Sequence, residues 1–258
     1  MTKEYPIERR EIIVSRLANG QAVIAEALAD EFAVSPDAIR RDLRALAAEG
    51  RCRRVYGGAL PLSPASTSMV VRAAEAHERK AALAAAAVRL IRPGEFLFLD
   101  NGSTNLALAA LLPSCKLTVV TNSAAIAAAL VDRLDLRLHL LGGAVDAAIG
   151  GCVDTDAVLA LQRMNIDRSF LGTCAASAGE GISAFDAADA AFKRVALTCS
   201  RQVALMVLTE KLGTRAPHRI ASLDSIDVLV VEHDATHHPE FRAISVLGIE
   251  VITAAQPG

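Results

Sequence analysis

Two groups of residues in this chain have the types and spacing for chemistry, and in both the chemistry is the holding of an anion. The first is "SPDAIRRDLRALAAEGRCRRVYGGA", residues 35–59, where Arg40, Arg41, Arg44, Arg51, Arg53 and Arg54 outnumber Asp37, Asp42 and Glu49. A helix lying in the major groove of DNA needs side chains that neutralise phosphates and fork onto guanine edges, and arginine does both. The second is "DNGST", residues 100–104. There Gly102 would let the backbone approach a phosphate, Ser103 and Thr104 would supply hydroxyls, and free N–H groups at a helix start would point at the anion. Asp100 is expected to accept hydrogen bonds from sugar hydroxyls, and Lys211 to add positive charge. Without a ligand, the same residues read as a solvated arginine face and as a helix cap with its turn.

The elements that must position the arginines follow from periodicity. Residues 7–18 predict a helix with Ile7, Ile13, Val14 and Leu17 on one face, interrupted by Arg10. Residues 24–32 predict a second, short helix through Ala25, Leu28 and Phe32, with Ala33-Val34 as the turn. Ser35 is a good N-cap and Pro36 suits the first helical position of a third helix, which runs to about Ala48. Its Ile39, Leu43 and Leu46 point inward, which leaves Asp37, Arg40, Arg41 and Arg44 on exposed faces. Past Gly50 a short strand and a turn at Gly57-Gly58 predict a wing bearing Arg53, Arg54 and Tyr56. Together with Ser35 these form the expected DNA-binding surface of a winged helix-turn-helix.

Beyond residue 73 apolar strands alternate with alanine-rich helices, which predicts a Rossmann-like α/β domain with a largely parallel sheet covered on both faces. Ligands in such sheets sit beyond the carboxyl ends of the strands. Those ends read Asp100 to Thr104, then Thr121, Asn122 and Ser123, then Gly142 and Gly143, then Gly172, and finally Lys211. The chain has neither G-x-G-x-x-G after the first of these strands nor G-x-x-x-x-G-K-[ST], so no nucleotide cofactor is expected. The expected division is a DNA-binding domain at 1–60, a linker at 61–72 and an effector-sensing domain at 73–258.

Composition is compatible with this plan. A 258-residue chain that is 52% hydrophobic fills a sizeable core, and a net charge of −2 makes the arginine patch a local feature rather than a general affinity for polyanions. No apolar run reaches about 18 residues, and "MTKEYPIERREIIV" lacks the apolar centre of a signal peptide, so the expectation is a cytoplasmic protein with no membrane association. Five cysteines without a C-x-x-C pair argue against a zinc site or a disulfide framework. His233, Asp234, His237 and His238 read as a solvated loop, and no metal is expected.

The motifs also carry a resemblance. "VSPDAIRRDLRALAAEGRCRRVYGGA" is similar to the helix-turn-helix and wing of the DeoR family of bacterial transcription regulators. "ERKAALAAAA", "FLDNGSTNLALA", "VVTNS", "LLGG", "FLGTC", "AFDAADAAFKR" and "EKLGT" resemble that family's sugar-phosphate-sensing domain, itself similar to ribose-5-phosphate isomerase. The resemblance implies a regulator, usually a repressor, acting as a homo-oligomer (dimer or tetramer) on double-stranded operator DNA and answering to a phosphorylated sugar or related metabolite. It places Asp100, Gly102, Ser103, Thr104, Asn122 and Lys211 in the effector pocket, with Gly142 and Gly143 at a neighbouring strand end. Lys193 matches a family lysine, although its spacing from Asp189 by itself favours a surface ion pair. Three positions depart from the family pattern: Ala38 stands for threonine, Ile24 for a polar helix cap, and Leu208 for an aspartate before Lys211. The alternative is an isomerase-like enzyme with an accessory arginine module, for which Asp100 is the one strand-end acid available as a base.

Overall fold

The computed structural model describes residues 6–18, 23–49, 51–55, 57–61 and 69–256. The chain divides into two compact units, Met1–Pro64 and Ala65–Gly258.

The smaller unit runs α1 (Pro6–Ala18), β1 (Val23–Ile24), α2 (Ala25–Glu31), α3 (Pro36–Ala48), β2 (Cys52–Val55) and β3 (Gly58–Pro61). Ile13, Leu17, Leu28, Ile39, Leu43 and Leu46 meet in its core, and each large aliphatic buried there contributes about 1.5–3 kcal/mol. The Ser35 hydroxyl accepts from the Ala38 N–H at 3.2 Å, starting α3 with Pro36 in its first turn. Ala33 takes a left-handed φ of 51° at the turn between α2 and α3. Ile24 departs from the expected helix: it pairs with Gly58 across β1 and β3, and α2 begins one residue later with no side-chain cap. Two adjacent β-branched residues favour this pairing over a helical turn. Gly58 permits it, because a Cβ there would sit 2.0 Å from the Val23 carbonyl oxygen. The wing is therefore a three-stranded sheet, ordered β1-β3-β2.

The larger unit opens with α4 (Met69–Ala74) and α5 (His77–Ala87), so residues 69–72, expected as linker, are helical. Residues 62–68 lie outside the described residues. There follow β4 (Phe96–Leu99), α6 (Ser103–Ala109), β5 (Thr118–Thr121), α7 (Ala124–Leu130) and β6 (Arg137–Leu140). A hairpin of β7 (Val145–Asp146) and β8 (Gly151–Cys152) precedes α8 (Thr155–Leu161) and β9 (Ile166–Leu171). Then come β10 (Ala175–Ser177), β11 (Gly181–Ala184), α9 (Ala187–Thr198), β12 (Ser200–Val207), β13 (His218–Ala221), β14 (Val228–Val231), α10 (Pro239–Ser245) and β15 (Glu250–Thr253).

Seven of these strands form one parallel sheet, ordered β15-β14-β12-β9-β4-β5-β6. Along β4 the side chains alternate: Phe98 joins the core on one face with Phe192 and Leu205, whereas Leu97 and Leu99 join Phe170 and Val230 on the other. The chain moves outward from β4 through β5 to β6, then crosses to β9 and proceeds the opposite way. Strand order thus reverses between β4 and β9, and a ligand crevice is expected at their carboxyl ends.

Candidate functional site

On the DNA-binding unit, Asp37, Arg40, Arg41 and Arg44 all project from α3 as exposed side chains. The acids of this stretch are engaged within the protein. Asp42 accepts from the buried Arg9 at 2.8 Å and lies 3.8 Å from Arg10, which also reaches Glu49 at 3.3 Å, and Asp37 pairs with Arg40 at 2.8 Å. Arg41 and Arg44 make no hydrogen bond or ion pair among the described residues, so their charge is available to phosphates. Ser35 spends its hydroxyl on the helix cap. Arg53 and Arg54 lie on β2, opposite Leu60 and Ala59 of β3, while Tyr56 lies outside the described residues.

At the switch point of the larger unit Asp100 and Gly172 join the two strand ends. The Asp100 carboxylate is fully buried and accepts from the Gly172 N–H at 2.8 Å and the Asn101 N–H at 2.9 Å. Gly172 must be glycine here, since a Cβ would lie 2.8 Å from the Asn101 carbonyl oxygen. Burial pushes the Asp100 carboxyl up to about 6 against the pull of Lys193, and the charge of Asp189 adds to the rise. Lys193 lies 3.5 Å from Asp100 and donates to Asp189. Burial opposes its charge, but these two carboxylates hold its proton above the usual lysine range.

Two expectations need correction. The Asp189–Lys193 pair is buried rather than superficial, at 5% and 3% exposure, because the α9 face bearing Asp189, Ala190 and Lys193 turns inward. Asp100 is an internal brace rather than an open acceptor for sugar hydroxyls. Asn122 is likewise a brace: it accepts from the Asn101 N–H at 2.9 Å and donates to the Cys152 carbonyl at 3.2 Å. These braces fix the loop that presents Gly102, Ser103 and Thr104, all half-buried. The two hydroxyls have no partner among the described residues. Gly142 and Gly143 are exposed, and the Gly143 carbonyl accepts from the Cys152 thiol at 3.6 Å.

Lys211 donates to the Thr173 carbonyl at 2.9 Å, which supplies the partner left open by Leu208, itself buried. Burial above all, with Arg72 and Lys193 nearby, lowers its pKa. Its turn is pinned by Arg79, which bridges Glu210 at 2.5 Å and the buried Glu232 at 2.6 Å. Sequence reasoning missed two further cations. Arg72 on α4 donates to the Ile149 carbonyl at 2.8 Å, and Lys80 on α5 donates to the carbonyls of Arg72 and, at 2.7 Å, Glu75. Both are held below their usual values, chiefly by burial and, for Lys80, next by the charge of Lys211. "ERK" contained a signal for Lys80; Arg72 lay in a stretch read as linker. Among the C-terminal histidines, His238 caps α10 by accepting from the Glu240 N–H at 3.2 Å. Asp234 accepts from Thr209 at 2.8 Å. Among the described residues no group of three or more His, Cys, Asp or Glu is placed to hold a metal ion.

A winged helix-turn-helix followed by an α/β unit with cations gathered at its switch point defines a DNA-binding regulator that senses a ligand. Comparison with known proteins narrows the class. The DeoR-like helix-turn-helix domain matches residues 9–65, and the DeoR C-terminal sensor domain matches residues 75–233. The HTH-type transcriptional regulator GlpR of Haloferax volcanii is 30% identical over 95% of this chain and 98% of its own. The glycerol-3-phosphate regulon repressor of Escherichia coli is 31% identical over 87% of this chain and 90% of its own. Among solved structures, ribose 5-phosphate isomerase A from Methanocaldococcus jannaschii overlaps 53% of this chain and 54% of its own, at 14% identity and a TM-score of 0.39. The chain belongs to the DeoR family of transcriptional regulators. No helix among its described residues is long and apolar enough to cross a membrane.

Proposed function

We propose that this regulator is a cytoplasmic repressor of carbohydrate-metabolism genes, released from operator DNA by a phosphorylated sugar or related metabolite. The observation that carries the reading is the state of Arg72, Lys80 and Lys211. All three are cations depressed by burial, and their hydrogen bonds go to neutral backbone carbonyls rather than carboxylates. Lys80 is buried and Arg72 and Lys211 are half-buried, and a cation so desolvated with no carboxylate hydrogen-bonded to it is costly. A phosphoryl dianion would relieve that cost and gain charge-assisted hydrogen bonds. Gly102, Ser103, Thr104 and Lys211 form the phosphate-facing part of the site, Asp100, Asn122 and Lys193 brace it, and Gly142 and Gly143 line its margin. The name of the Escherichia coli relative supports a phosphorylated metabolite as the effector class.

Operator contacts fall to Arg40, Arg41 and Arg44 on α3 and to Arg53, Arg54 and Tyr56 on the wing, with Ser35 and Asp37 organising the helix start. A homo-oligomer, dimer or tetramer, would place these elements on repeated half-sites. The functional division runs 1–60 for DNA binding and 69–258 for sensing, because α4 carries Arg72. An isomerase role is disfavoured because its candidate base, Asp100, already accepts two backbone N–H groups.

A thermal-shift screen of phosphorylated sugars beside their unphosphorylated parents tests the reading. The phosphorylated compounds should raise the melting temperature and the parents should not. Equal stabilisation by both would overturn the phosphate assignment.

A further inference from the structure

The amino ends of the sheet strands, away from the anion site at their carboxyl ends, carry a cleft of their own. It spans about 420 Å³ between the turn at residues 92–95, which leads into β4, and Asp167, Arg201 and Gln202 at the starts of β9 and β12. That volume lies within the roughly 300–1,000 Å³ of ordinary small-molecule sites. Gly94 takes a left-handed φ of 79° in the turn, and a Cβ added there would meet no atom within 4 Å, so the turn is open on that side.

The acids of the cleft are largely engaged within the protein. Glu95 accepts from the Arg92 N–H at 2.9 Å and from the buried Arg168 at 3.2 and 3.4 Å, which answers its charge. Asp167 gives one carboxylate oxygen to the Phe96 N–H at 2.8 Å. The two arginines that line the cleft are not engaged: Arg92 and Arg201 are exposed, and neither side chain makes a hydrogen bond or ion pair among the described residues. The parallel register of β9 and β12 sets Arg201 beside Asp167 on one face of the sheet, yet no ion pair closes between them. Arg89 and Arg163, exposed on the same rim in the connections that lead into β4 and β9, add to the positive field that would gather an anion there.

We infer that this cleft is a second binding site of the sensor unit, for a small metabolite that bears a carboxylate or phosphate together with a hydrogen-bond donor. The oxyanion takes the guanidinium forks of Arg92 and Arg201. The donor goes to the open oxygen of Asp167, and the Gln202 amide, whose side chain has no partner among the described residues, can bond either part. Two free arginines against one half-used aspartate leave the cleft net positive, which selects an anion over a neutral sugar. The site is separate from the effector site by the length of the strands.

Phenylglyoxal, which modifies free guanidinium groups, is applied to the full chain, and the rate at each arginine is followed by peptide mass spectrometry. Inorganic phosphate and malate, a hydroxylated dicarboxylate, are the probes, with a nonspecific DNA duplex beside them. At least one of the two anions should slow modification of Arg92 and Arg201 together by several-fold, while the exposed Arg163 and Arg242 react as they do without it. Protection by malate alone assigns a carboxylate, and by phosphate alone a phosphoryl group. Arg201→Gln changes an exposed, unbonded side chain, so it should melt with the parent and lose the protection of Arg92; Arg92→Gln is the reciprocal test. Lys211→Met should keep both protections. Equal reactivity with and without either anion overturns the inference, as does protection of Arg92 that persists in Arg201→Gln. Protection lost in Lys211→Met would mean that it is transmitted from the carboxyl ends, and protection by the duplex alone would make the rim a nucleic-acid surface; either result also overturns it.

Discussion

Replacing Lys211 by methionine separates a ligand-facing cation from a structural one. Methionine keeps the length of the side chain and removes the charge and the donor to the Thr173 carbonyl, a charge-assisted bond of 2.9 Å. Losing that bond costs about 1.5–3 kcal/mol, and removing a desolvated cation beside Arg72 and Lys193 offsets it. The unliganded variant should therefore melt close to the parent. Phosphate binding should behave differently, because a charged hydrogen bond is worth about 1.5–3 kcal/mol, or about 10- to 150-fold in affinity. Calorimetric titration of both proteins with inorganic phosphate measures the ratio directly. The pH dependence provides a second check. Because Lys211 has a folded pKa below its unfolded value, the folded chain binds fewer protons between the two, so the parent gains stability as pH rises through that window. Lys211→Met should lack this gain, and phosphate affinity in the parent should decline at a lower pH than an ordinary lysine would dictate. A variant that melts far below the parent yet binds phosphate equally well would refute the reasoning and make Lys211 a structural residue.

Other substitutions test neighbouring parts of the account. Arg41→Ala and Arg44→Ala should each weaken operator binding and reduce the magnitude of its log–log salt slope by about 1, whereas Arg40→Ala should do less because Asp37 already shares its charge; anisotropy at several salt concentrations reads this. Asp100→Asn should leave phosphate affinity within a few-fold of the parent, as expected for a brace. Because the Asp100 carboxyl is raised, the parent should lose stability as pH climbs from the ordinary aspartate value to about 6, and thermal melts of Asp100→Asn should lack that loss. Arg79→Ala leaves the buried Glu232 without its cation and should cost about 1–3 kcal/mol in urea melts. Glu232 is held below the ordinary glutamate value, so the stability it brings in the parent is lost as pH falls, and this acid-side loss should shrink in the variant.

Much of this architecture was legible in the sequence because its determinants are local. Ser35-Pro36 and the spacing of Ile39, Leu43 and Leu46 define α3 without tertiary help, and the apolar runs at 96–99, 118–121 and 228–231 became strands of the parallel sheet. Short elements built from small residues, such as the β7–β8 hairpin and the β10-β11-β13 sheet, have too little periodicity to be seen in advance. Asp100, Asn122 and Lys211 stood out in the sequence at strand ends, but what surrounds each of them depends on burial. Asp189 and Lys193 look like a surface pair on an alanine-rich helix until the sheet decides which face turns inward. Arg72 was hidden for a related reason. Nothing in "MVVRAA" marks Arg72 out, and its hydrogen bond to the Ile149 carbonyl arises only when α4 is set against that loop.

The central claim is that one chain couples a phosphorylated metabolite to operator occupancy. The most direct measurement is fluorescence anisotropy of a duplex selected by the protein from a randomised library, titrated with a phosphorylated sugar that stabilises it in the thermal screen. The account predicts release of the parent over the same concentration range as stabilisation, with operator occupancy by Lys211→Met normal and resistant to release. Binding that ignores the sugar phosphate in the parent, or release of Lys211→Met at parental concentrations, would contradict it.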